Sequence, residues 1–470
     1  MSSRSLSIDR GNKASHIQMV ENVDKTSPSE LSWTDEEEKK LVRKIDLLLL
    51  PTIWLMYLLS YMDRTNIGNA KIAGMADDLH LTSAQYSVIL VVFFVGYVVF
   101  EPPSNMILVR SKPSIYLPTL MVIWGVLTCV MSVVKSYHHL IILRIFVGIM
   151  EAGFAPGVLL IISSWYKREE QSKRFAVYMS AAILSGAFGG LLAGAITGGL
   201  EGAHGIRGWR WLFIVEGAAT IGWALIAGFI LLDFPATSKR LTPREREIAI
   251  HRLTEGGVTV RSEGSAKISK GKSFLLALSD WRTWGFILGY MASVIVGSST
   301  LSYFYPTLVN GLGFTSTVQA QYMTVPIYAF AFVCTAITGY YSDRIPQWRG
   351  VIIAAWLGFS LITSIVVCTV YNFTVRYVML VLMAAGLWAS NALSLSYASS
   401  TFGSMDPEVR AIALALVNAM GNLAQIYGAY LFPSGDAPKY LKGFGVISAM
   451  LAFGVVVYVV MHVLVRRKNV

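Results

Sequence analysis

Long apolar stretches run through this chain and are separated by polar loops. Twelve of them are long enough to cross a lipid bilayer, which takes about 20 residues of helix. They are too long and too continuously apolar for barrel strands, so we predict helices, whose backbone groups pair within the segment. The predicted spans, numbered 1 to 12, cover residues 47–72, 83–108, 114–134, 138–164, 174–199, 210–233, 282–309, 317–341, 350–370, 375–402, 408–432 and 442–465.

One polar loop is longer than the others and divides the spans six and six. Such a division is typical of transporters built from two related halves, with a binding site near the bilayer midplane where the halves meet. We therefore predict an all-α membrane protein with five parts. These are a tail over 1–45, a first half over 46–233, a middle loop over 234–281, a second half over 282–465 and a tail over 466–470.

Two polar segments outside the spans carry signals for the start of a helix. Thr34 and Glu37 fit a capping box, which predicts a short amphipathic helix along the membrane surface that leads into span 1. Residues 1–30 before it are polar and are expected to be disordered. In the middle loop, Thr242 and Pro243 begin a charged helix, which we expect to be a solvated surface helix.

The composition agrees with a membrane protein. The chain is 54% hydrophobic and 14% charged, whereas a soluble domain carries about 25% charged residues. A soluble catalytic domain is therefore excluded, and the sequence has no metal-ligand cluster, phosphate-binding glycine loop or nucleophile–base pair that would indicate an enzyme or a cofactor. The polar N-terminal region does not fit a cleavable signal peptide. Cys129, Cys334 and Cys368 lie in apolar spans and are interpreted as packing residues.

The net charge of +11 could indicate a nucleic-acid partner, but the positions of the basic residues argue against one. They concentrate in alternate loops, as cytoplasmic loops of membrane proteins do. We therefore expect a monomer in the plasma membrane with both termini and the middle loop in the cytoplasm. The basic residues behind this topology include Arg110, Lys112, Lys167, Arg168, Lys173, Arg174, Arg344, Arg349, Arg410, Arg466, Arg467 and Lys468.

Four charged residues fall inside spans 1 and 4: Asp63, Arg64, Arg144 and Glu151. Each charge at a helix centre costs about 2.5–3.5 kcal/mol, so a chain that keeps four of them either pairs them for structure or uses them. Arg144 and Glu151 are two helical turns apart on one face. From their depths we expect Asp63 to reach Arg144. Arg64 points about 100° away, with Glu151 beneath it but no obvious partner on its own face.

Four stretches of this sequence, SYMDRTNIGNAKI, LRIFVGIMEAGFAPG, SSWYKREEQSKR and GWRWLFIVEG, resemble the anion:cation symporter family of the major facilitator superfamily. The fungal allantoate permease branch is the most similar, and the resemblance covers roughly residues 35–465. It implies that Arg64 contacts a substrate anion and that Asp63 and Glu151 are proton-linked acids. It implies that Arg144 is their partner or a second anion contact.

Two further motifs belong to the same resemblance. In span 11, Asn418 and Asn422 match a polar motif whose side chains are candidates for hydrogen bonds to the substrate. After span 8, Asp343, Arg344 and Arg349 match the superfamily's cytoplasmic gating motif, in which an acid pairs with arginines in one state only. The corresponding first-half segment, residues 102–110, lacks the acid, and the arginines could instead serve topology alone.

Weaker candidates lie elsewhere in the spans. Glu216 in span 6 is interpreted as structural, paired with Arg210 or with a neighbouring helix. Tyr303 and Asn391 could line a central cavity, although each residue of this kind alone is more often a packing or interface residue. The same applies to Tyr305, Tyr322 and Trp388.

The leading hypothesis is proton-coupled uptake of a small organic anion by alternating access, with the proton gradient in place of a cofactor. An exporter that works by proton antiport is the first alternative, although span 5 lacks the proline of the superfamily's exporter motif. A nutrient sensor that does not transport is the second. Nicotinate, allantoate, ureidosuccinate, pantothenate and biotin all fit the branch, and the aromatic residues favour a small aromatic acid such as nicotinate.

Overall fold

The computed structural model describes residues 33–255, 270–296, 300–314, 316–402, 405 and 407–468, and all regular structure within these ranges is helical. The predicted disorder of residues 1–30 lies outside them. Each predicted span corresponds to a helix or to a pair of consecutive helices. The continuous ones are span 1 Asp35–Ala70, span 2 Ser83–Arg110, span 3 Pro113–Met131, span 5 Arg168–Gly199, span 6 Gly208–Ile230, span 9 Arg349–Thr369, span 10 Phe373–Thr401, span 11 Pro407–Gly428 and span 12 Leu441–Lys468.

Two spans are interrupted: span 4 (Tyr137–Glu151 and Phe154–Trp165) and span 8 (Thr317–Tyr322 and Val325–Arg344). The described part of span 7 consists of Trp281–Val296 and Thr300–Gly311. Broken helices are tolerated in membranes where the freed backbone lies inside the protein. In ten of the spans the described helices are long and apolar enough to cross a membrane, whereas the described helices of spans 7 and 11 are not. An all-helical membrane fold is therefore confirmed.

Span 1 begins earlier than expected and is continuous with the predicted surface helix. Glu37 N donates to Thr34 Oγ1 at 3.3 Å, and Thr34 N donates to Glu37 Oε2 at 3.0 Å, so the predicted capping box is present. The helix runs from Asp35 through Pro51 to Ala70 and then widens into a π-helical turn over Lys71–Met75. The charged N-terminal turns and the first span therefore form one continuous helix.

The spans pack in two groups. Span 1 lies against spans 5 and 6, span 2 against span 4, and span 3 against span 6; in the second group, span 7 lies against spans 11 and 12 and span 10 against spans 8 and 9. We call spans 1–6 the first half and spans 7–12 the second half. Because twelve spans return the chain to its starting side, we call that side the termini side and the opposite one the far side.

The two halves meet at the far ends of their spans, through the pairs 1–7, 2–11 and 5–8. Ser87 Oγ on span 2 donates to the Ala429 carbonyl oxygen at 2.6 Å, and Thr197 Oγ1 on span 5 lies 2.5 Å from Gln321 Oε1 on span 8. Small residues permit this approach: a Cβ at Gly194 would lie 2.5 Å from the Tyr322 ring. The far side is thus closed by direct contact between the halves.

Candidate functional site

An arginine of span 1 and a glutamate of span 4 form an ion pair in the middle of the first half. Arg64 Nε donates to Glu151 Oε1 at 2.6 Å, and the two side chains are 8% and 0% exposed. Ser60, one turn earlier on span 1, donates its hydroxyl to the same oxygen. Glu151 therefore lies beside Arg64 as the helical geometry predicted, but the expectation that Arg64 has no protein partner is wrong.

Aromatic rings surround the rest of the Arg64 guanidinium. Its Cζ lies 4.8 Å from the ring centroid of Tyr97, 5.1 Å from that of Tyr61 and 5.4 Å from that of Phe93. A guanidinium over such rings gains about 0.5–2 kcal/mol per contact, with the larger values in desolvated sites. One of its nitrogens, Nη2, is buried and makes no hydrogen bond to the described residues. The ion pair with Glu151 thus leaves Arg64 Nη2 available to bind another group.

Arg144 of span 4 forms no ion pair with an acid among the described residues. It is 1% exposed, and neither its Nε nor its Nη2 has a hydrogen-bond partner in the part of the chain that the structure describes. Its Cζ lies 5.0 Å from the ring centroid of Phe93, the same ring that Arg64 contacts. Because both Cζ atoms lie close to the Phe93 ring, the guanidiniums of Arg64 and Arg144 belong to one cluster.

Asp63 does not reach Arg144, so the expected pairing is wrong. Asp63 Oδ2 instead accepts hydrogen bonds from Trp124 Nε1 at 3.1 Å and Thr220 Oγ1 at 3.0 Å, which come from spans 3 and 6. The reason is helical rotation: neighbouring residues point about 100° apart, and Arg64 already faces span 4. The face of span 1 on which the acid lies separates it from Arg144.

Two other charged residues, Arg210 and Glu216, depart from their predicted partners. Arg210 donates to the backbone carbonyl oxygens of Ser132 and, at 3.1 Å, Val134. Glu216 is 1% exposed, and neither of its carboxylate oxygens has a hydrogen-bond partner among the described residues. The expected Glu216–Arg210 pair is therefore wrong.

The second half contributes Tyr303 to the charged cluster. Tyr303 is 4% exposed, its ring lies 6.3 Å from that of Phe94 on span 2, and it interacts electrostatically with both Arg64 and Arg144. Asn391, Asn418 and Asn422 are partly buried. Asn422 Oδ1 accepts from Gln425 Nε2 at 3.1 Å.

Sequence reasoning missed the aromatic residues of span 2. Phe93 and Tyr97 are one helical turn apart, so both present their rings to the same side, where spans 1 and 4 bring their charges. The signal that could have found them is this spacing of two aromatic residues in the span that packs against span 4. Ser60 was missed as well, although it lies one turn from Arg64 and is fully buried.

The sequence profile of the Major Facilitator Superfamily matches residues 53–429. The chain belongs to the major facilitator superfamily. It is 35% identical over 457 residues to the "MFS transporter prlL" of a fungal species (strain NRRL 50135), covering 94% of this chain and 90% of the relative. It is 30% identical over 432 residues to the "High-affinity nicotinic acid transporter" of Saccharomyces cerevisiae, covering 92% and 79%.

The superfamily fold also appears in the solved structures. A bacterial homologue of the human lysosomal transporter Spinster, in an inward-facing and unoccupied conformation, aligns with a TM-score of 0.69 at 18% identity, covering 92% of this chain and 98% of that one. The similarity to a fungal permease branch noted from the sequence motifs is thereby confirmed at the level of the superfamily and its fungal relatives. The chain is a membrane transporter of the major facilitator superfamily.

The residues that resemble the superfamily's gating motif lie at the termini-side ends of spans 8 and 9. Arg349 Nη2 donates to Asp343 Oδ1 at 2.9 Å, with side-chain exposures of 12% and 73%. Arg344 donates to the Tyr340 hydroxyl and stacks over that ring at 4.4 Å. The predicted acid and one of its two arginines are thus paired, while the other arginine binds an aromatic residue of its own helix.

Proposed function

We propose that this chain takes up a small organic anion together with protons. One observation carries the proposal: Arg144 is buried, and neither Nε nor Nη2 of its guanidinium has a hydrogen-bond partner among the described residues. With Arg64 paired to Glu151, the cluster of these three residues holds two cations and one acid. An uncompensated charge at membrane depth is costly. An anion that enters the site supplies the missing counter-charge.

The surroundings favour a carboxylate on a small aromatic body. A guanidinium can bind a carboxylate through two parallel hydrogen bonds, and the rings of Tyr97 and Phe93 offer flat apolar surface beside the two arginines. A relative is named a nicotinic acid transporter, which supports nicotinate as the first substrate to test. Allantoate, ureidosuccinate, pantothenate and biotin are the alternatives.

Glu151 offers a simple means of coupling to protons. Its Oε1 binds Arg64 and Ser60, while its Oε2 is buried without a described partner. A proton on Glu151 would neutralise the acid and free Arg64 for the substrate carboxylate. Because the far side is closed, we infer that an anion leaves or enters this conformation from the termini side, which we expect to be cytoplasmic in a monomer of the plasma membrane.

Nicotinate binding to the purified protein tests the anion site. Arg144→Ala should weaken binding roughly 10- to 150-fold, because a hydrogen bond to a charged group contributes about 1.5–3 kcal/mol. The control is Arg376→Lys, in the first turn of span 10 on the far side. Arg376 donates to the Pro438 and Lys439 carbonyl oxygens at 3.2 and 2.8 Å. Its replacement should therefore preserve the affinity for nicotinate. Unchanged binding in Arg144→Ala contradicts the anion site.

A separate experiment, transport in proteoliposomes with an acidic exterior, tests the coupling to protons. Glu151→Gln should still exchange labelled nicotinate for unlabelled nicotinate, because the amide keeps the shape of the protonated acid. It should no longer accumulate nicotinate against a gradient. Normal accumulation by Glu151→Gln would show that the proton is carried elsewhere.

A further inference from the structure

One further cation has no acid partner among the described residues. Lys71 follows Arg64 by seven residues, so the two side chains share one face of the helix and lie about 10.5 Å apart along its axis. Lys71 is partly buried and forms no ion pair with a described acid. Its Nζ lies instead 4.3 Å from the ring centroid of Tyr86 and 5.8 Å from that of Phe304. Two turns beyond the anion site, the chain thus holds another cation against aromatic rings.

This contact repeats one found at the anion site. Tyr86 and Phe93 are also seven residues apart, on span 2, which runs antiparallel to span 1. The Phe93 ring centroid lies 5.4 Å from Arg64 Cζ, just as the Tyr86 centroid lies 4.3 Å from Lys71 Nζ. Spans 1 and 2 therefore bring a cation against an aromatic ring twice, once at the anion site and once two turns nearer the far side.

The second half covers this outer contact through span 7. The Phe304 ring lies 6.1 Å from the Tyr86 ring, and the Tyr86 hydroxyl donates to the Tyr303 carbonyl oxygen at 3.4 Å. The Tyr303 ring in turn lies 6.3 Å from Phe94. Lys71 is thus held between a ring of the first half and a ring of the second half, within the contact that closes the far side.

Opening of the far side changes the surroundings of Lys71. Phe304 belongs to the other half, so separation of the halves removes its ring from the ammonium and leaves only Tyr86. Each such ring contact contributes about 0.5–2 kcal/mol. An apolar side chain would pack between two rings without the cost of desolvating a charge, so closure of the far side does not by itself explain a lysine at this position.

We propose that Lys71 is an outer anion contact, which binds the substrate carboxylate when the far side opens, before the carboxylate reaches Arg144 and Arg64. This rests on the proposed uptake of an organic anion and adds an entry site to it. A lysine suits the task because its ammonium is a strongly hydrated point charge on a flexible stem, whereas a guanidinium binds a carboxylate through a rigid fork. When the halves close again, the Phe304 ring takes the place of the carboxylate beside the ammonium, which favours movement of the anion inwards.

Nicotinate uptake by proteoliposomes with an acidic exterior, compared with nicotinate binding to the purified protein, tests this entry site. Lys71→Gln should raise the KM for uptake about fivefold, as expected for the loss of one partly exposed ion pair. The maximal rate and the affinity of the purified protein should stay near the wild-type values, because Arg144 and Arg64 are unchanged. Lys71→Arg, which keeps the cation, should restore the KM. The control is Lys135→Gln, which removes the same charge from an exposed residue on the far side and should leave the KM unchanged.

An unchanged KM in Lys71→Gln overturns the proposal, and so does an equal rise in Lys135→Gln, which would reflect the general charge of the far side. A fall in the maximal rate alone also overturns it, because Lys71 would then act only in closure. Lys71→Met repeats the test if Lys71→Gln does not fold, since a thioether also packs against aromatic rings. Failure of the anion site has a different result: the purified wild type would then not bind nicotinate, and Lys71 would have no anion to pass on.

Discussion

Gly148 on span 4 lies between Arg144 and Glu151 and lets the span approach the backbone of span 2. A Cβ there would lie 2.2 Å from the Phe93 carbonyl oxygen, whereas one at Gly189 of span 5 would meet nothing nearer than Met62 Cγ at 3.9 Å. We therefore expect Gly148→Ala to separate spans 2 and 4 at a cost of about 1–3 kcal/mol. Phe93 should move away from the two guanidiniums.

Thermal unfolding and nicotinate binding of the purified variants measure this effect. Gly148→Ala should lower both the melting temperature and the affinity, and Gly189→Ala, the matched control, should leave both near the wild-type values. A Gly148→Ala protein that melts and binds like the wild type would show that span 4 can retreat from span 2 without disturbing the site.

The contacts of the four buried charges could be predicted only in part. The sequence predicted Glu151 beside Arg64, because residue numbers and the helical period give the position of each side chain along its helix. It did not reveal that Asp63 turns to Trp124 and Thr220, since the sequence does not say which neighbouring helix lies on which face of span 1. Of the two arginines, the one without an acid partner among the described residues is accordingly Arg144 rather than Arg64.

At the scale of one element, the helix Pro243–Glu255 of the middle loop is docked rather than solvated, which corrects the sequence interpretation. Arg252 is fully buried, with Nη2 donating to Glu170 Oε1 at 2.6 Å and Nε to Glu38 Oε1 at 3.1 Å. Glu245 pairs with Lys44 of span 1 at 2.8 Å. These ion pairs attach the helix to the termini side of the first half.

Arg252→Ala should release this helix from the first half. Removing one partner of a buried pair costs about 3–5 kcal/mol, and we expect the lower end because Glu38 and Glu170 are 22% and 25% exposed. Amide hydrogen exchange over residues 243–255 should become faster. Lys239→Ala, which changes an exposed residue of the same loop, should leave the exchange unchanged; equal protection in both variants would mean that Arg252 does not hold the helix.

The docking of this helix could not be predicted from the sequence, because a run of charged residues looks the same in a solvated helix as in one held by ion pairs. The partners of the loop helix lie far away in the chain, in span 1 and at the start of span 5. Burial alone would raise the pKa of Glu245, but hydrogen bonds from Lys44 and Thr242 lower it below its ordinary value. The stabilisation that ionised Glu245 gives to the docked helix is therefore complete at neutral pH and decreases only as the pH falls below about 4.3.

At the scale of the whole molecule, the contacts between the halves form a closed far side. Gln321 of span 8 lies 2.5 Å from Thr197 on span 5 and donates to the Asn69 carbonyl oxygen on span 1 at 3.5 Å. A Cβ at Gly68 would lie 2.5 Å from the Tyr303 carbonyl oxygen, so spans 1 and 7 also meet backbone to backbone. If the central site is loaded from the far side, all of these contacts have to open in each cycle.

Ser83, at the start of span 2, and Ser434, after span 11, allow that opening to be tested. Their hydroxyl oxygens touch across the two halves, and the Ser434 N–H also donates to Ser83 Oγ at 2.9 Å. Cysteines introduced at both positions would therefore lie within reach of a disulfide bond. Oxidation should lock the far side shut and reduce nicotinate uptake more than tenfold, while a reducing agent should restore it.

The two single variants, Ser83→Cys and Ser434→Cys, provide the controls, because each lacks a partner at the junction and should transport normally under the same oxidant. Binding of nicotinate to the oxidised double variant in detergent should persist, since the cross-link does not restrain the termini-side ends of the spans, from which we infer that this conformation is loaded. Full uptake by a completely cross-linked protein would show that these far-side contacts do not open during transport, and the anion would then have to reach Arg144 by another path.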